Sequence, residues 1–148
     1  MKGYTSEMIR NVALLGHGGC GKTTFLEAAL LATGVISRLG KVEDGTTVSD
    51  YDKMEIEKGY SINTTLVPVE YNKVKINFVD TPGFFDFAGE VQGALRGVEA
   101  AAILVDASSG IQVGTEKAWD LCEEYKLPRI IFVTNMDDDH ASFRELIL

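Results

Sequence analysis

The sequence has 148 residues and a mass of 16.1 kDa, within the ~100–200 residues of a typical single domain. Its composition, 45% hydrophobic and 24% charged with 15 Gly and 3 Pro, excludes collagen-like and low-complexity chains. A net charge of -8 excludes a broad basic surface, so we expect no autonomous binding of nucleic acid.

The apolar pattern changes period repeatedly and predicts strands that alternate with helices. The predicted strands cover residues 11–15, 66–71, 74–79, 100–105 and 129–133, and the predicted helices cover residues 24–32, 87–97 and 115–125. This order is typical of an α/β fold with a mostly parallel central sheet, helices on both faces, and a ligand site at the carboxyl ends of the strands. We expect strands 100–105 and 129–133 to be buried, and Trp119 to lie on the core face of its helix.

Two segments depart from this alternation. Asn72-Lys73 predicts a hairpin turn, and Pro68 has no N–H to donate, so we expect one antiparallel strand at a sheet edge. Residues 33–61 are polar without a sustained period, and they predict a mobile loop with a short helical piece.

The strongest motif follows the first strand and opens the first helix. It fits the pattern G-x-x-x-x-G-K-[ST], with Thr24 directly after it, and reads Gly16, His17, Gly18, Gly19, Cys20, Gly21, Lys22 and Thr23. Glycines at this spacing turn backbone N–H groups toward phosphate oxygens, and the helix N-terminus adds positive charge. We expect Lys22 to reach the β and γ phosphates and Thr23 to bind Mg²⁺. The alternative is a Gly-rich turn with an incidental lysine.

A second motif, made of Asp80, Thr81, Pro82 and Gly83, ends the strand 74–79. A carboxylate there is suited to a water-mediated contact with Mg²⁺, and the N–H of Gly83 can approach a γ-phosphate. Taken alone, the same four residues are compatible with a plain type I or II turn.

Together the motifs resemble the translational GTPases, and specifically the nucleotide-binding domain of elongation factor G and its bacterial paralogues. Residues 50–62 are similar to that family's first switch, and the resemblance assigns Ser61 as a ligand of Mg²⁺. It implies a P-loop NTPase fold, GTP or GDP with Mg²⁺ as cofactors, and GTP hydrolysis with Lys22 and Gly83 at the reacting phosphate. It also implies the ribosome as the partner of a longer protein.

The base-reading motif departs from the family's Asn-Lys-x-Asp. Here it reads Thr134, Asn135, Met136 and Asp137, so only the aspartate is retained. Asp137 can still accept two hydrogen bonds from guanine, which predicts guanine selectivity. Thr134 lacks the amide that would contact the base and brace the phosphate loop, and Asn135 is shorter than the lysine that packs on the base. We therefore expect weakened binding.

Two further departures concern catalysis. Phe84 stands where elongation factor G carries a histidine directed at the attacking water, and phenylalanine cannot orient water or carry a proton. Gly19 replaces an aspartate that helps hold a monovalent cation. We expect slow hydrolysis, at a cost of ~10²–10⁴-fold for one orienting group. Two alternatives remain, namely a GTP- or GDP-binding regulatory module with little hydrolysis, and another P-loop NTPase that uses ATP.

The sequence gives three more expectations. Residues 1–148 are interpreted as an N-terminal GTP-binding domain that lacks its last strand and its fifth guanine motif, because the sequence stops on an apolar, helix-prone segment. The acidic residues 137–139 with His140 are interpreted as a cap for a helix over 141–148, in preference to a metal cluster. Two cysteines without a CxxC pair, and the lack of an apolar span or signal core, predict a cytoplasmic protein without a membrane partner; we also expect a monomer.

Overall fold

One five-stranded sheet forms the centre of the computed structural model, which describes residues 3–139 and 141–146, with the backbone alone for Phe85 and Glu145. The strands are β1 (Ile9–Gly16), β2 (Thr65–Tyr71), β3 (Val74–Asp80), β4 (Ala100–Asp106) and β5 (Arg129–Thr134). Their spatial order is β2-β3-β1-β4-β5, and every neighbouring pair is parallel except β2 with β3. The predicted mixed sheet with one antiparallel edge strand is therefore confirmed.

The antiparallel pair is a tight hairpin. Asn72 and Lys73 both have positive φ, 47° and 66°, as a type I′ turn requires. Pro68 pairs in register with Asn77 and lies on β2, the edge strand, where no further strand needs its missing N–H. Both sequence-based predictions for this segment are confirmed.

The helices fill the connections between strands. They are α1 (Lys22–Ala32), α2 (Lys53–Lys58), α3 (Ala88–Leu95), α4 (Val113–Glu124) and α5 (Phe143–Leu146). Helix α2 is the short helical piece predicted in the polar loop. Because α5 begins at Phe143, the aspartates at 137–139 do not stand directly before it, and the predicted cap is wrong; His140, Ile147 and Leu148 lie outside the described residues. In the described part of the chain, no helix is long and apolar enough to cross a membrane.

Alternate residues of the central strands pack on opposite faces of the sheet. On one face Ala13 and Ile103 contact the cluster formed with α3 and α4. On the other face Leu14 and Leu104 pack with Leu26 of α1. Burial of the second half of β1 and of β4 on both faces explains why residues 12–15 and 100–105 are continuously apolar, and it confirms helices on both faces.

The prediction that β5 is buried is wrong. Ile130, Ile131 and Phe132 are 65%, 57% and 42% exposed: among the described residues β5 is the edge strand beside β4, and its successive side chains are left partly uncovered on both faces of the sheet. Trp119 is also not a core residue. It is 43% exposed, and the guanidinium of Arg129 lies 3.8 Å from the centre of its ring.

Candidate functional site

Two of the predicted motifs, the phosphate loop and the turn after β3, converge at the carboxyl ends of β1 and β3. A cavity of about 230 Å³ opens there, and it is lined by Gly18, Gly19, Gly21, Lys22, Thr23, Thr24, Val42, Glu43, Asp50, Gly59, Tyr60, Ser61, Gly83 and Phe84. The cavity thus combines the phosphate loop, the polar loop before β2 and the turn after β3. Residues 134–137 follow β5 and do not line the same cavity. A larger groove of about 720 Å³ lies between α4 and β5, but its lining is mostly apolar, so it is unsuited to phosphate.

The lysine of the phosphate loop is buried within this cluster. Lys22 is 6% exposed, and its Nζ donates hydrogen bonds to the carbonyl oxygens of His17 at 2.9 Å and Gly16 at 3.2 Å. Gly83 lies so close that a Cβ added to it would stand 2.5 Å from that Nζ and 2.7 Å from the nitrogen of Gly18. The two motifs, separate in sequence, therefore meet at one point, and only glycine fits at position 83.

Four oxygen-bearing side chains form a second cluster beside Lys22. The hydroxyl of Thr23 donates to Oδ2 of Asp80 at 3.1 Å and lies 3.4 Å from the hydroxyl of Ser61. Ser61 in turn donates to Oδ1 of Asp50 at 2.7 Å. The three residues predicted to bind metal, Thr23, Ser61 and Asp80, are thus brought together.

Asp50 was not predicted to have a role. It begins the segment that resembles the first switch, and a carboxylate in that segment was the signal that could have identified it. It is 4% exposed, and its contact with Ser61 depends on the fold of the polar loop, which the sequence alone does not specify.

The chemistry of this cluster fits Mg²⁺, which prefers hydroxyl, carboxylate and water oxygens. Oδ2 of Asp50 and Oδ1 of Asp80 are buried, and neither has a hydrogen-bond partner among the described residues. Burial raises the pKa of Asp80 to about 6 and raises the pKa of Asp50, although Lys22 and Ser61 oppose this. A cation here would offset the cost of burying both carboxylates.

The remaining residues of the two motifs are structural neighbours of these clusters. The hydroxyl of Thr81 donates to the carbonyl oxygen of Leu14 at 2.6 Å, which ties the turn after β3 to β1. Pro82 is buried. Cys20 is 2% exposed, and burial raises the pKa of its thiol. His17 packs against the first turn of α4, where a Cβ on Gly114 would stand 2.6 Å from Cα of His17.

The residues predicted to read the base follow β5. The hydroxyl of Thr134 lies 2.9 Å from the carbonyl oxygen of Cys20, so the expectation that threonine fails to brace the phosphate loop is wrong. The amide of Asn135 donates to Oδ2 of Asp106 at 2.6 Å. Met136 and Asp137 are exposed on the turn that follows.

Phe84 covers one side of the cavity. Its ring centre lies 4.6 Å from that of Tyr60, and a Cβ on Gly18 would stand 2.8 Å from its Cζ. The ring is 40% exposed. An aromatic pair, with no imidazole, therefore lies where the turn after β3 meets the polar loop.

Comparison with known proteins places this geometry in context. The family model of the elongation factor Tu GTP binding domain matches residues 7–147. Over 139 residues the chain is 40% identical to an elongation factor G-like protein of Mycobacterium tuberculosis, covering 94% of this chain and 20% of that protein. Over 137 residues it is 39% identical to elongation factor G of Granulibacter bethesdensis, covering 93% and 20%.

A solved structure gives a similar result. A crystal structure of a Thermus thermophilus protein superposes with a TM-score of 0.91 at 42% identity, covering 95% of this chain and 21% of that chain. The chain therefore spans about a fifth of the length of these relatives.

Proposed function

Because this chain belongs to the family of the elongation factor Tu GTP binding domain, within the translational GTPases of the elongation factor G type, we propose that it is the GTP-binding and GTP-hydrolysing switch domain of a longer factor acting on the ribosome. The observation that carries the proposal is the convergence of two clusters. Lys22 and Gly83 meet at the phosphate loop, and Thr23, Asp80 and Ser61 meet beside it.

The phosphates are held by the backbone N–H groups of residues 16–24 and by Lys22, which neutralises charge on the β and γ phosphates. The N–H of Gly83, which lies beside Lys22, would donate to the γ-phosphate. Thr23 and Ser61 would supply hydroxyl ligands to Mg²⁺, and Asp80, with Asp50, would hold it through bound water. Mg²⁺ held there would neutralise negative charge that develops on the phosphates.

The base is held by residues 134–137. Asp137 accepts from guanine N1–H and the 2-amino group, which selects against adenine, since adenine would leave the carboxylate unpaired. Thr134 braces the phosphate loop, while Asn135 and Met136 give the base less cover than a lysine. Selectivity for guanine is retained and affinity is lowered.

Hydrolysis is slow because Phe84 provides no group that orients the attacking water. Positioning and electrostatics from Lys22 and Gly83 leave a residual rate. The second candidate, a regulatory module that hardly hydrolyses GTP, is supported by the same residue, since Phe84 packs its apolar ring on Tyr60 and offers no group that could orient water.

The proposal extends to partners. The longer protein is cytoplasmic and takes its affinity for ribosomes from parts outside residues 1–148, because this acidic segment does not bind nucleic acid by itself. The segment itself is monomeric.

Titration calorimetry of the purified chain with GTP, GDP and ATP, each with Mg²⁺ and with EDTA, tests the binding half. We expect GTP and GDP to bind with a dependence on Mg²⁺, and ATP to bind at least about 100-fold more weakly, as expected when a polar site group is left unpaired. Equal affinity for ATP would contradict guanine selectivity. Single-turnover hydrolysis by the full-length protein, with and without ribosomes, then separates the slow GTPase from the regulatory module.

A further inference from the structure

A fully buried carboxylate on α1 has no part in the site described above. Glu27 is 0% exposed, although a charged side chain in a protein interior costs free energy unless its oxygens are hydrogen-bonded. Its two oxygens accept hydrogen bonds from backbone N–H groups of the polar loop. Oε1 accepts from Val48 at 2.6 Å, and Oε2 accepts from Gly40 at 2.9 Å. The carboxylate therefore holds the two ends of the segment 40–48, here called the clamped loop.

The clamped loop is shaped to reach this carboxylate. Within it, the N–H of Thr46 donates to the carbonyl oxygen of Lys41 at 3.2 Å, and the N–H of Lys41 donates to the hydroxyl of Thr46 at 3.0 Å. A Cβ on Gly40 would stand 2.7 Å from Oε2 of Glu27 and 2.5 Å from the carbonyl oxygen of Thr46. Only glycine at position 40 therefore lets the backbone of the loop come this close to the Glu27 carboxylate.

The clamp lies one helical turn from the metal end of the site. Glu27 follows Thr23 by four residues, so both side chains are on the same face of α1. Val48, which donates to Glu27, precedes Asp50 by two residues. Asp50 accepts from Ser61, and Ser61 lies 3.4 Å from Thr23. The chain of contacts therefore begins at Thr23 of α1, passes through Ser61 and Asp50, follows the backbone to Val48, and ends at Glu27 of the same helix.

We propose that Glu27 is a positioning residue of the nucleotide site. By holding the clamped loop on α1, it fixes Asp50 and Ser61 opposite Thr23. The proposal rests on the proposed function and adds a residue that contacts neither the phosphates nor the metal. Because the hydrogen bonds of the Glu27 carboxylate go to Gly40 and Val48 and not to residues 16–21, loss of the clamp leaves diphosphate binding intact and weakens the part of the affinity that depends on Mg²⁺ and on the third phosphate.

The test uses Glu27→Gln in the full chain, with release of fluorescent GDP and of a non-hydrolysable fluorescent GTP analogue measured across Mg²⁺ concentrations. Glutamine keeps one acceptor and places an NH₂ group against a donor, so about 1–3 kcal/mol of hydrogen bonding is lost, equivalent to ~5–150-fold. We expect the Mg²⁺ concentration that gives half-maximal retention of the GTP analogue to rise about tenfold, which lies inside this ~5–150-fold range. GDP affinity in EDTA should change less than about twofold, because only the clamp is altered.

A second variant approaches the clamp from the loop. Gly40→Ala leaves α1 unchanged and removes the space that Oε2 occupies, so it should give the same pattern. Gly93→Ala on α3 is the matched control, because a Cβ there meets nothing within 4 Å. Hydrogen exchange of the Val48 amide, without nucleotide, should accelerate in Glu27→Gln and Gly40→Ala and stay unchanged in Gly93→Ala.

The outcomes are distinguishable. If both clamp variants fold and keep the wild-type dependence on Mg²⁺, or lose GDP affinity equally in EDTA, Glu27 has no positioning role. If the wild-type chain binds no guanine nucleotide, the proposed function fails, and this inference fails with it.

Discussion

Phe84 is the residue on which the proposed slow hydrolysis depends. Its ring lies against Tyr60 and over Gly18, at the edge of the phosphate cavity. Phe84→His, made in the full-length protein, should raise ribosome-stimulated single-turnover hydrolysis by ~10²-fold or more, because an imidazole can orient water. Binding of GDP should stay nearly unchanged.

Phe84→Ala provides the control for this prediction. It removes the ring without adding an imidazole, and so separates access of water from orientation of water. If Phe84→Ala hydrolyses GTP as fast as Phe84→His, the ring acts as a barrier, and the explanation from a missing orienting group is wrong.

Thr134 keeps one contact that was expected to be lost at its position, the brace to the phosphate loop. Its hydroxyl contacts the carbonyl oxygen of Cys20 in the phosphate loop. Thr134→Val keeps the shape and removes that bond, which is worth about 0.5–1.5 kcal/mol, so affinities for GTP and GDP should both fall about 2–10-fold. Calorimetry should show unchanged discrimination against ATP, since Asp137 is retained. Thr5→Val, at an exposed residue without a capping bond, should change nothing.

At the scale of elements, Asp106 fixes the turn between β4 and α4. Oδ1 accepts from the N–H groups of Ser108 and Ser109 and from the hydroxyl of Ser108, and Oδ2 accepts from Asn135. The hydroxyl of Ser108 is the main cause that lowers the pKa of Asp106 to about 2. The turn therefore depends on an ionised carboxylate that also positions the segment after β5.

Asp106→Asn should lower the free energy of unfolding at pH 7 by about 1–3 kcal/mol, the range for hydrogen bonds to charged groups. Because the pKa is lower in the folded chain than the ~3.9 of an unfolded aspartate, the stabilisation is present above about pH 4 and is lost toward pH 2. Urea unfolding at several pH values should show the two proteins converging at low pH. A constant difference, or an equal loss in the exposed control Asp120→Asn, would count against this explanation.

The elements also show what sequence can predict. The hairpin was predictable because Pro68 and Asn72-Lys73 restrict the backbone locally, and such restrictions act before any tertiary contact forms. The exposure of β5 was not predictable, because an apolar run specifies preference for burial but not which element provides the cover. Helix α5 was misplaced for a related reason, since propensity fixes the existence of a helix better than its first residue.

At the scale of the whole molecule, the residues of the candidate site also divide into those that the sequence predicts and those that it does not. The phosphate loop and the turn after β3 were readable as motifs because backbone N–H groups and one lysine must stand at fixed spacing. Asp50, Glu27 and the brace from Thr134 were not readable, because each depends on contacts between segments distant in sequence, 11 residues apart for Asp50 and Ser61 and 114 for Thr134 and Cys20. Asp50, Glu27 and Thr134 are brought to the site by the tertiary fold, and not by a fixed spacing in the sequence.

The whole chain carries a net charge of -8, so we expect binding of a polyphosphate to depend on Mg²⁺, which would offset the repulsion. A ligand that binds only the folded chain stabilises it by about 2.7 kcal/mol at 100 times its Kd, which corresponds to about 5–10 °C in Tm for a chain of this size. Thermal unfolding should show this shift with GDP and Mg²⁺, and a much smaller shift in EDTA. Inorganic triphosphate with Mg²⁺ should give more than half of it, because in the proposed site it makes the same phosphate contacts as GTP, and Asn135 and Met136 are proposed to give the base little cover. ATP with Mg²⁺ should give no more than triphosphate; a shift equal to that of GDP would mean that Asp137 does not read the base.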